Sequence, residues 1–316
     1  MDKQLISVII PVYNESGNLN ELYNRLICEL NKFNNFLYEI IFIDDGSKDD
    51  SWVILRNLYC SNKNIKGIKL SRNFGHQNAL KAGIDLAHGD VVITMDADLQ
   101  HPPKLIPEML NCWQQGFDII CAVRLDTNGV SYWKEFNSKF YYKFLNLISG
   151  LDLSKGSSDY KLFDKKVINE LKKFHENQLF IRGLVNWIGF NSTNITYVAD
   201  KRFSGNSSYS YKKMLKFAVD GIMSFSTRPL RIASILGIVV SIFAFLNILS
   251  ALYDNYILRK TVPGWTSILV SVLFLGGIQL LSIGLLGEYI GKMFLETKKR
   301  KNYIISSRLD NNEDNN

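Results

Sequence analysis

The chain has 316 residues, 47% of them hydrophobic, and 37 Lys+Arg against 30 Asp+Glu give a formal net charge of +7. That is enough chain for a substantial core and one large domain plus an appendage. Its cysteines, Cys28, Cys60, Cys112 and Cys121, show no CxxC spacing, which excludes a zinc ribbon or disulfide frame and reads as reduced thiols in a cytosolic compartment.

The first apolar run, in "MDKQLISVIIPVYNE", is broken by Pro11 and is too short for a secretory leader, so it reads as a strand. "LISVIIPVYN" (5–14), "YEIIFIDDGS" (38–47), "IKGIKLS" (65–71) and "DVVITMDAD" (90–98) are predicted strands. Between them, "LNELYNRLICELNKF" (19–33), "DSWVILRNLYC" and "GHQNALKAGIDLAHG" (75–89) have helical spacing. Continuous Val/Ile runs alternating with helices predict an α/β fold, with a parallel sheet covered on both faces. Ligands bind such sheets at the carboxyl ends of the strands. Asn14–Glu15, Asp44–Asp45, Arg72–Asn73 and Asp96–Asp98 all fall at those ends. In the third helix, Gly75, Ala79, Gly83 and Ala87 recur every four residues and read as a smooth packing face.

The C-terminal third differs. Residues 232–253 and 265–291 are each long and apolar enough to span a membrane. The first has no charge, and the second only Glu288, placed at an interface or against a neighbouring helix. Lys212, Lys213, Lys216, Arg228 and Arg231 precede the pair, and Lys292, Lys298, Lys299, Arg300 and Lys301 follow it, so both ends are expected on the cytoplasmic side. The stretch 210–231 mixes Phe, Met and Leu with Lys and Arg, which suits helices in the headgroup layer of a lipid bilayer. The reading is therefore a catalytic domain over 1–209, amphipathic juxtamembrane helices over 210–231, two transmembrane helices over 232–291, and a basic, then disordered tail over 292–316. Basic residues crowd the spans, and no nucleic-acid partner is expected.

The chemistry centres on "VVITMDADLQHPPKL" (91–105). Two carboxylates on one side of a strand end repel unless a cation lies between them. Asp96 and Asp98 suit Mg2+ or Mn2+, which takes oxygen ligands and leaves room for substrate phosphates. Pro102 and Pro103 are expected to stop the strand and hold the acids at the crevice rim, and His101 reads as a surface turn histidine. The chain has no GxxxxGK[ST], no GxGxxG after the first strand and no GxSxG, which argues against P-loop, nicotinamide and nucleophile-elbow chemistry. A metal-bridged diphosphate leaving group fits what is left.

The motifs "SVIIPVYNESGNL", "IFIDDGSKDDS", "LSRNFGHQNALKAGIDLAHGD" and "MDADLQHPP" resemble those of family-2 glycosyltransferases with the GT-A fold. "GSSDYKLFDKKV", "LFIRGLVNWIGF", "RFSGNSSYSYKKML", "GIMSFSTRPLRI" and the second apolar segment narrow the likeness to polyisoprenyl-phosphate glycosyltransferases of the bactoprenol glucosyltransferase branch. The resemblance implies a GT-A cytosolic domain with a mostly parallel, Rossmann-like sheet, followed by interfacial helices and two transmembrane helices. It implies that Pro11, Tyr13, Glu15, Asp44, Asp45, Arg72, Asn73, Asp96 and Ala97 line the nucleotide-sugar site, with Asp44 accepting a hydrogen bond from the base. Asp45-Gly46-Ser47 reads equally as a turn and helix N-cap. Asp96, Asp98 and Gln100 would hold the metal, while Arg124, Lys134 and Arg202 would meet the acceptor phosphate, with Lys161 and Arg182 secondary.

Asp159 matches the family's candidate base. A lipid phosphate monoester has a second pKa of about 6 and is already largely anionic at neutral pH, so Asp159 is expected to orient groups more than to take a proton. Asp98 shares the catalytic role through the metal. The implied activity is inverting transfer of a hexose, glucose first and N-acetylglucosamine as the alternative, from a UDP-sugar to undecaprenyl phosphate. The setting is the cytoplasmic leaflet of a bacterial inner membrane, for O-antigen or envelope glycosylation. A homotetramer, a flippase and a downstream glycosyltransferase are the implied partners. Two rivals stand beside it. A processive polysaccharide synthase lacks its QxxRW motif in "QLFIRG", and a non-catalytic nucleotide-sugar scaffold would not need every acidic strand end.

Overall fold

In the computed structural model the described residues are 3–125, 157–176, 180–198, 228–256 and 264–310. The apolar runs form four parallel strands, β1 (Gln4–Val12), β2 (Phe36–Asp44), β3 (Ile65–Leu70) and β4 (Val91–Thr94). β1 is buried on both faces from Ile6 onward, β2 from Glu39, and β4 throughout. Their Val/Ile runs therefore show no polar alternation. Four more strands complete the sheet: β5 (Ile119–Leu125), β6 (Ser157–Asp164), β7 (Ser192–Val198) and β8 (Ile305–Leu309). The order is β7-β5-β6-β4-β1-β2-β3-β8. Only β6 and β8 run against their neighbours, so the sheet is mostly parallel, as expected.

Helices α1 (Leu19–Leu30), α2 (Ser51–Ser61), α3 (His76–Leu86), α4 (Ile106–Gln114), α5 (Lys165–Lys173) and α6 (Ile181–Ile188) belong to the same unit. α1 turns Leu19, Leu22, Leu26 and Leu30 inward at helical spacing, into one core with Ile6, Val8 and Ile10 of β1 and Trp52 and Leu55 of α2. On α3 the small-residue face does what its spacing implies. A Cβ on Gly83 would stand 2.1 Å from Ile9 Cγ2, so helix and sheet are close enough to require glycine. Gly75 has another part: it caps α3 at φ 93°, in the left-handed region.

β4 departs from its expected course. It ends at Thr94, not Asp98, and the prolines do not stop it. Its partner β6 sets the limit, since the pairing runs only from Val91↔Asp164 to Thr94↔Lys161. Beyond it the Asp96 amide donates to His101 Nδ1 at 3.0 Å, and Leu99 takes φ 64°. The two aspartates therefore lie on a tight turn, and Pro103 opens a 3-10 turn, Pro103–Leu105, leading into α4. His101 is likewise buried, not a surface histidine: its ring stacks on Tyr160 at 5.1 Å.

α7 (Arg228–Tyr256) and α8 (Trp265–Thr297) make a second unit. Within α8, Phe274–Thr297 is long and apolar enough to cross a membrane. Most of the expected juxtamembrane stretch 210–231 lies outside the described residues. The reading of 292–316 as a basic, then disordered tail is corrected over 302–309. There Asn302 Nδ2 donates to the Glu176 carbonyl at 2.9 Å, Tyr303 Oη donates to Asp85 Oδ2 at 3.0 Å, and β8 pairs with β3. Gly67 of β3 leaves space for Leu309, whose Cδ1 would lie 2.8 Å from an added Cβ.

At the opposite sheet end from the acidic turns, Glu39 is buried among Ser7 Oγ–H, the His88 amide at 3.0 Å and Lys66 Nζ at 2.7 Å. Burial acts to raise its pKa, but the bonds to Lys66, Ser7 and His88 outweigh it and hold the carboxyl below the usual range. A depressed carboxylate stabilises the fold above its unfolded-state value of about 4.3 and loses that contribution as pH falls through the folded value. We therefore expect a Glu39→Gln variant to lose less stability than wild type on acidification below about pH 4.3, read from urea midpoints at each pH. Gly83→Ala should cost about 1–3 kcal/mol through overpacking against Ile9, with the urea m-value unchanged.

Candidate active site

The strand ends converge through loops that hold one another. After β1, Asn14 adopts φ 56° and its amide donates to Ser47 Oγ at 3.0 Å, while the Lys48 amide donates to Asn14 Oδ1 at 2.8 Å. The Glu15 and Ser16 amides donate to Ser51 Oγ and Asp49 Oδ2, tying this loop to the start of α2. Gly46 sits at φ 69°, and a Cβ there would meet the Arg72 carbonyl carbon at 2.6 Å. The loop after β2 thus touches the loop after β3 backbone to backbone.

The acids are treated unequally. Asp45 accepts from the Phe74 and Gly75 amides at 2.7 and 2.9 Å, so it fixes the start of α3, although burial pushes its pKa up. Asp44, fully buried, accepts from the Ser47 amide through Oδ1 at 2.9 Å, and among the described residues its Oδ2 has no hydrogen-bond partner. An acceptor buried without a donor costs roughly 1–3 kcal/mol unless a ligand supplies one. Pro11 pairs with Ile43 inside the sheet, Tyr13 stands exposed, and Glu15 accepts from Asn18 at 2.5 Å. Arg72 stacks on Phe74 at 4.3 Å, and it and Asn73 are open to solvent.

On the turn after β4, Asp98 Oδ1 accepts from the Gln100 amide at 3.1 Å, and Ala97 is buried between the two aspartates. Asp96 Oδ1 is buried without a hydrogen bond among the described residues, and His76 Nε2 pairs with it at 3.4 Å. An oxygen-only donor pair, one of whose carboxylate oxygens has an imidazole neighbour but no hydrogen bond, fits a hard divalent cation. Among the described residues no three His, Cys, Asp or Glu side chains converge on one point, so the remaining ligands of such a cation would be substrate oxygens or water. Gln100 Oε1, expected as a third ligand, instead accepts from Arg124 at 2.8 Å.

Asp159 begins a second cluster. Arg182 of α6 grips it with two bonds, Nε to Oδ1 at 2.8 Å and Nη2 to Oδ2 at 3.0 Å. His76, the first residue of α3, lies 3.2 Å from Asp159 Oδ2 and so bridges Asp159 and Asp96. Burial acts to raise the Asp159 pKa, yet His76 and Arg182 together hold it far below the usual carboxylate range. For His76, burial acts downward, and the Asp159 hydrogen bond with the Asp96 charge lifts it to about 9. A carboxylate so firmly ionised is a poor proton acceptor and a good anchor. Lys134 and Arg202 lie outside the described residues. His76 was not among the expected site residues. Its signal was the strand-end "FGHQ", where Gly75 starts a helix whose first turn faces the crevice.

The N-terminal unit matches the glycosyl transferase family 2 signature over residues 7–172, and residues 228–293 match the GtrB C-terminal hairpin. A prophage bactoprenol glucosyl transferase homolog of Escherichia coli is 38% identical over 300 residues, 95% of this chain and 98% of that one. A bactoprenol glucosyl transferase of Shigella phage SfX is 38% identical over 303 residues, 96% and 99% of the two chains. A crystal structure of a mycobacterial protein superposes with a TM-score of 0.50 at 14% identity over 71% of this chain and 75% of that one, a likeness of fold. A strand-end acid crevice on a mostly parallel sheet, with a signature covering just over half the chain, leads to one conclusion: the chain belongs to glycosyl transferase family 2.

Proposed function

We propose that this chain transfers a hexose, glucose first among the candidates, from a UDP-sugar to undecaprenyl phosphate. The observation that carries the reading is a pair of buried carboxylate oxygens without a hydrogen bond among the described residues, Asp44 Oδ2 at the end of β2 and Asp96 Oδ1 on the turn after β4. The first suits the imide N–H of a uracil, and the second a divalent cation against a diphosphate. Likeness along nearly the whole chain to bactoprenol glucosyl transferases supports the lipid acceptor. Two spans, α7 and α8, would keep both ends cytoplasmic and the crevice near a lipid phosphate that cannot leave the bilayer.

Mg2+ or Mn2+ held by Asp96 and Asp98 would neutralise charge on the departing diphosphate. The acceptor oxygen, already anionic, attacks the anomeric carbon while the bond from that carbon to the diphosphate oxygen breaks, which turns an α-linked donor into a β-linked product. Asp159, saturated by Arg182 and His76, fixes those two cations at the reacting end and takes no proton. His76 stays cationic and steadies the negative charge between donor and acceptor.

Purified full-length protein with labelled undecaprenyl phosphate and a panel of UDP-sugars tests this directly. Transfer of one hexose in β linkage is expected, with N-acetylglucosamine the alternative winner. Hydrolysis without lipid product, or an α-linked product, contradicts the reading. Asp96→Asn should lower kcat by about 100-fold or more, and chelation of divalent ions should abolish activity in wild type. For Asp159→Asn, loss of the carboxylate should let the His76 pKa fall back toward about 6.5, so activity should be flat or falling from pH 7 to 9. A rise over that range, where the acceptor is already ionised, would instead make Asp159 a base.

A further inference from the structure

The turn that carries Asp96 and Asp98 is held from inside the domain by a buried histidine. The ladder between β4 and β6 stops at Thr94. Leu99, on the turn, takes φ 64°, a left-handed conformation that a branched side chain keeps only where its surroundings impose it. His101, 5% exposed, supplies part of that support, because its Nδ1 accepts from the Asp96 amide at 3.0 Å. A ring nitrogen that accepts has no hydrogen of its own, so the imidazole hydrogen belongs on Nε2. That nitrogen faces Asp96 Oδ2 at 3.7 Å, while His76 Nε2 faces Oδ1 at 3.4 Å. The Asp96 carboxylate thus stands between two imidazoles, one on its own turn and one on α3.

The His101 ring is itself clamped. It stacks on Tyr160 of β6 at 5.1 Å and 17°, and Tyr197 of β7 meets it edge-on at 6.1 Å and 79°. Tyr160, fully buried, also donates from Oη to the Pro102 carbonyl at 3.0 Å, which pins the residue after His101. Two strands therefore fix the ring, and the ring fixes the Asp96 backbone. Packing alone does not ask for histidine here. Phenylalanine would stack on Tyr160 as well, without the cost of burying ring nitrogens. What phenylalanine lacks is an acceptor for the Asp96 amide. We infer that His101 is a positioning residue for the divalent cation, aiming the Asp96 carboxylate from behind without touching the ion. This rests on the cation reading above.

The test uses full-length protein in detergent with UDP present, and free Mn2+ is read from its EPR signal. His101→Phe keeps an aromatic ring and loses the acceptor, so Mn2+ should bind about tenfold or more weakly. The Mn2+ concentration for half-maximal activity should rise by a similar factor, while uridine affinity measured without metal stays within about twofold. His101→Asn gives up the stacking, but its Oδ1 can stand where Nδ1 does, so it should recover part of the Mn2+ affinity. A histidine kept for packing alone predicts the reverse order, with Phe better than Asn. Equal Mn2+ affinity in wild type and His101→Phe overturns the inference, and so does tighter binding by His101→Phe than by His101→Asn. Wild type that takes up no Mn2+ beside UDP sinks the cation reading itself, and the wild-type titration tells the two failures apart. If His101→Phe does not fold, ring-nitrogen NMR of wild type decides. The His101 signal should show hydrogen on Nε2 and none on Nδ1, and it should shift when Mg2+ joins UDP. Hydrogen on Nδ1, or a signal unmoved by the cation, refutes the role.

Discussion

Repulsion among carboxylates governs this crevice. Asp44, Asp45, Asp96, Asp98 and Asp159 are gathered at one end of the interior strands, where close like charges disfavour ionisation unless each has a partner. The fold answers most of them internally. Asp45 takes two backbone amides of the α3 start, Asp98 takes the Gln100 amide, and Asp159 takes a two-pronged guanidinium and an imidazole. Among the described residues, one oxygen of Asp44 and one of Asp96 are left without a hydrogen bond. In the proposed reading these two oxygens, the first without any partner among the described residues and the second facing only the His76 imidazole at 3.4 Å, are where uracil and the cation bind.

The partners also join distant parts of the chain. His76 ties the β3–α3 loop to the β4 turn and to β6, and Gln77 beside it accepts from the Ile181 amide at 3.0 Å, fixing the helix that carries Arg182. The Ser71 amide, at the root of the same loop, donates to the Ile304 carbonyl at 2.9 Å, so the C-terminal strand steadies it from the outer edge. A site built this way is held by its neighbours on both sides, which suits chemistry that needs charges in place before substrate arrives.

Much of this was legible in the sequence. Continuous Val/Ile runs disclosed β1 to β4 because strands buried on both faces need no polar alternation, and the acids disclosed the crevice because they sit where those runs stop. Local patterns failed where long-range pairing decides. β4 ends four residues before Asp98 because β6, some 65 residues later in the chain, offers no further partner. His101 looked exposed beside two prolines, yet Tyr160 of β6 covers it. β8 was missed because "ISSRL" has weak strand character by itself and is recruited by the open edge of β3. His76 stands in "FGHQ" at the start of α3, but its place in the site comes from two aspartates brought to it from the β4 turn and β6.

The central claim is that the unmet oxygens on β2 and the β4 turn receive a uracil and a divalent cation. Crystals of the full-length protein grown with UDP and Mn2+, with anomalous data at the manganese edge, address it most directly. The account predicts a manganese peak between Asp96 and Asp98, with the uracil imide on Asp44. A peak elsewhere, or UDP bound away from Asp44 and Asp96, would contradict it.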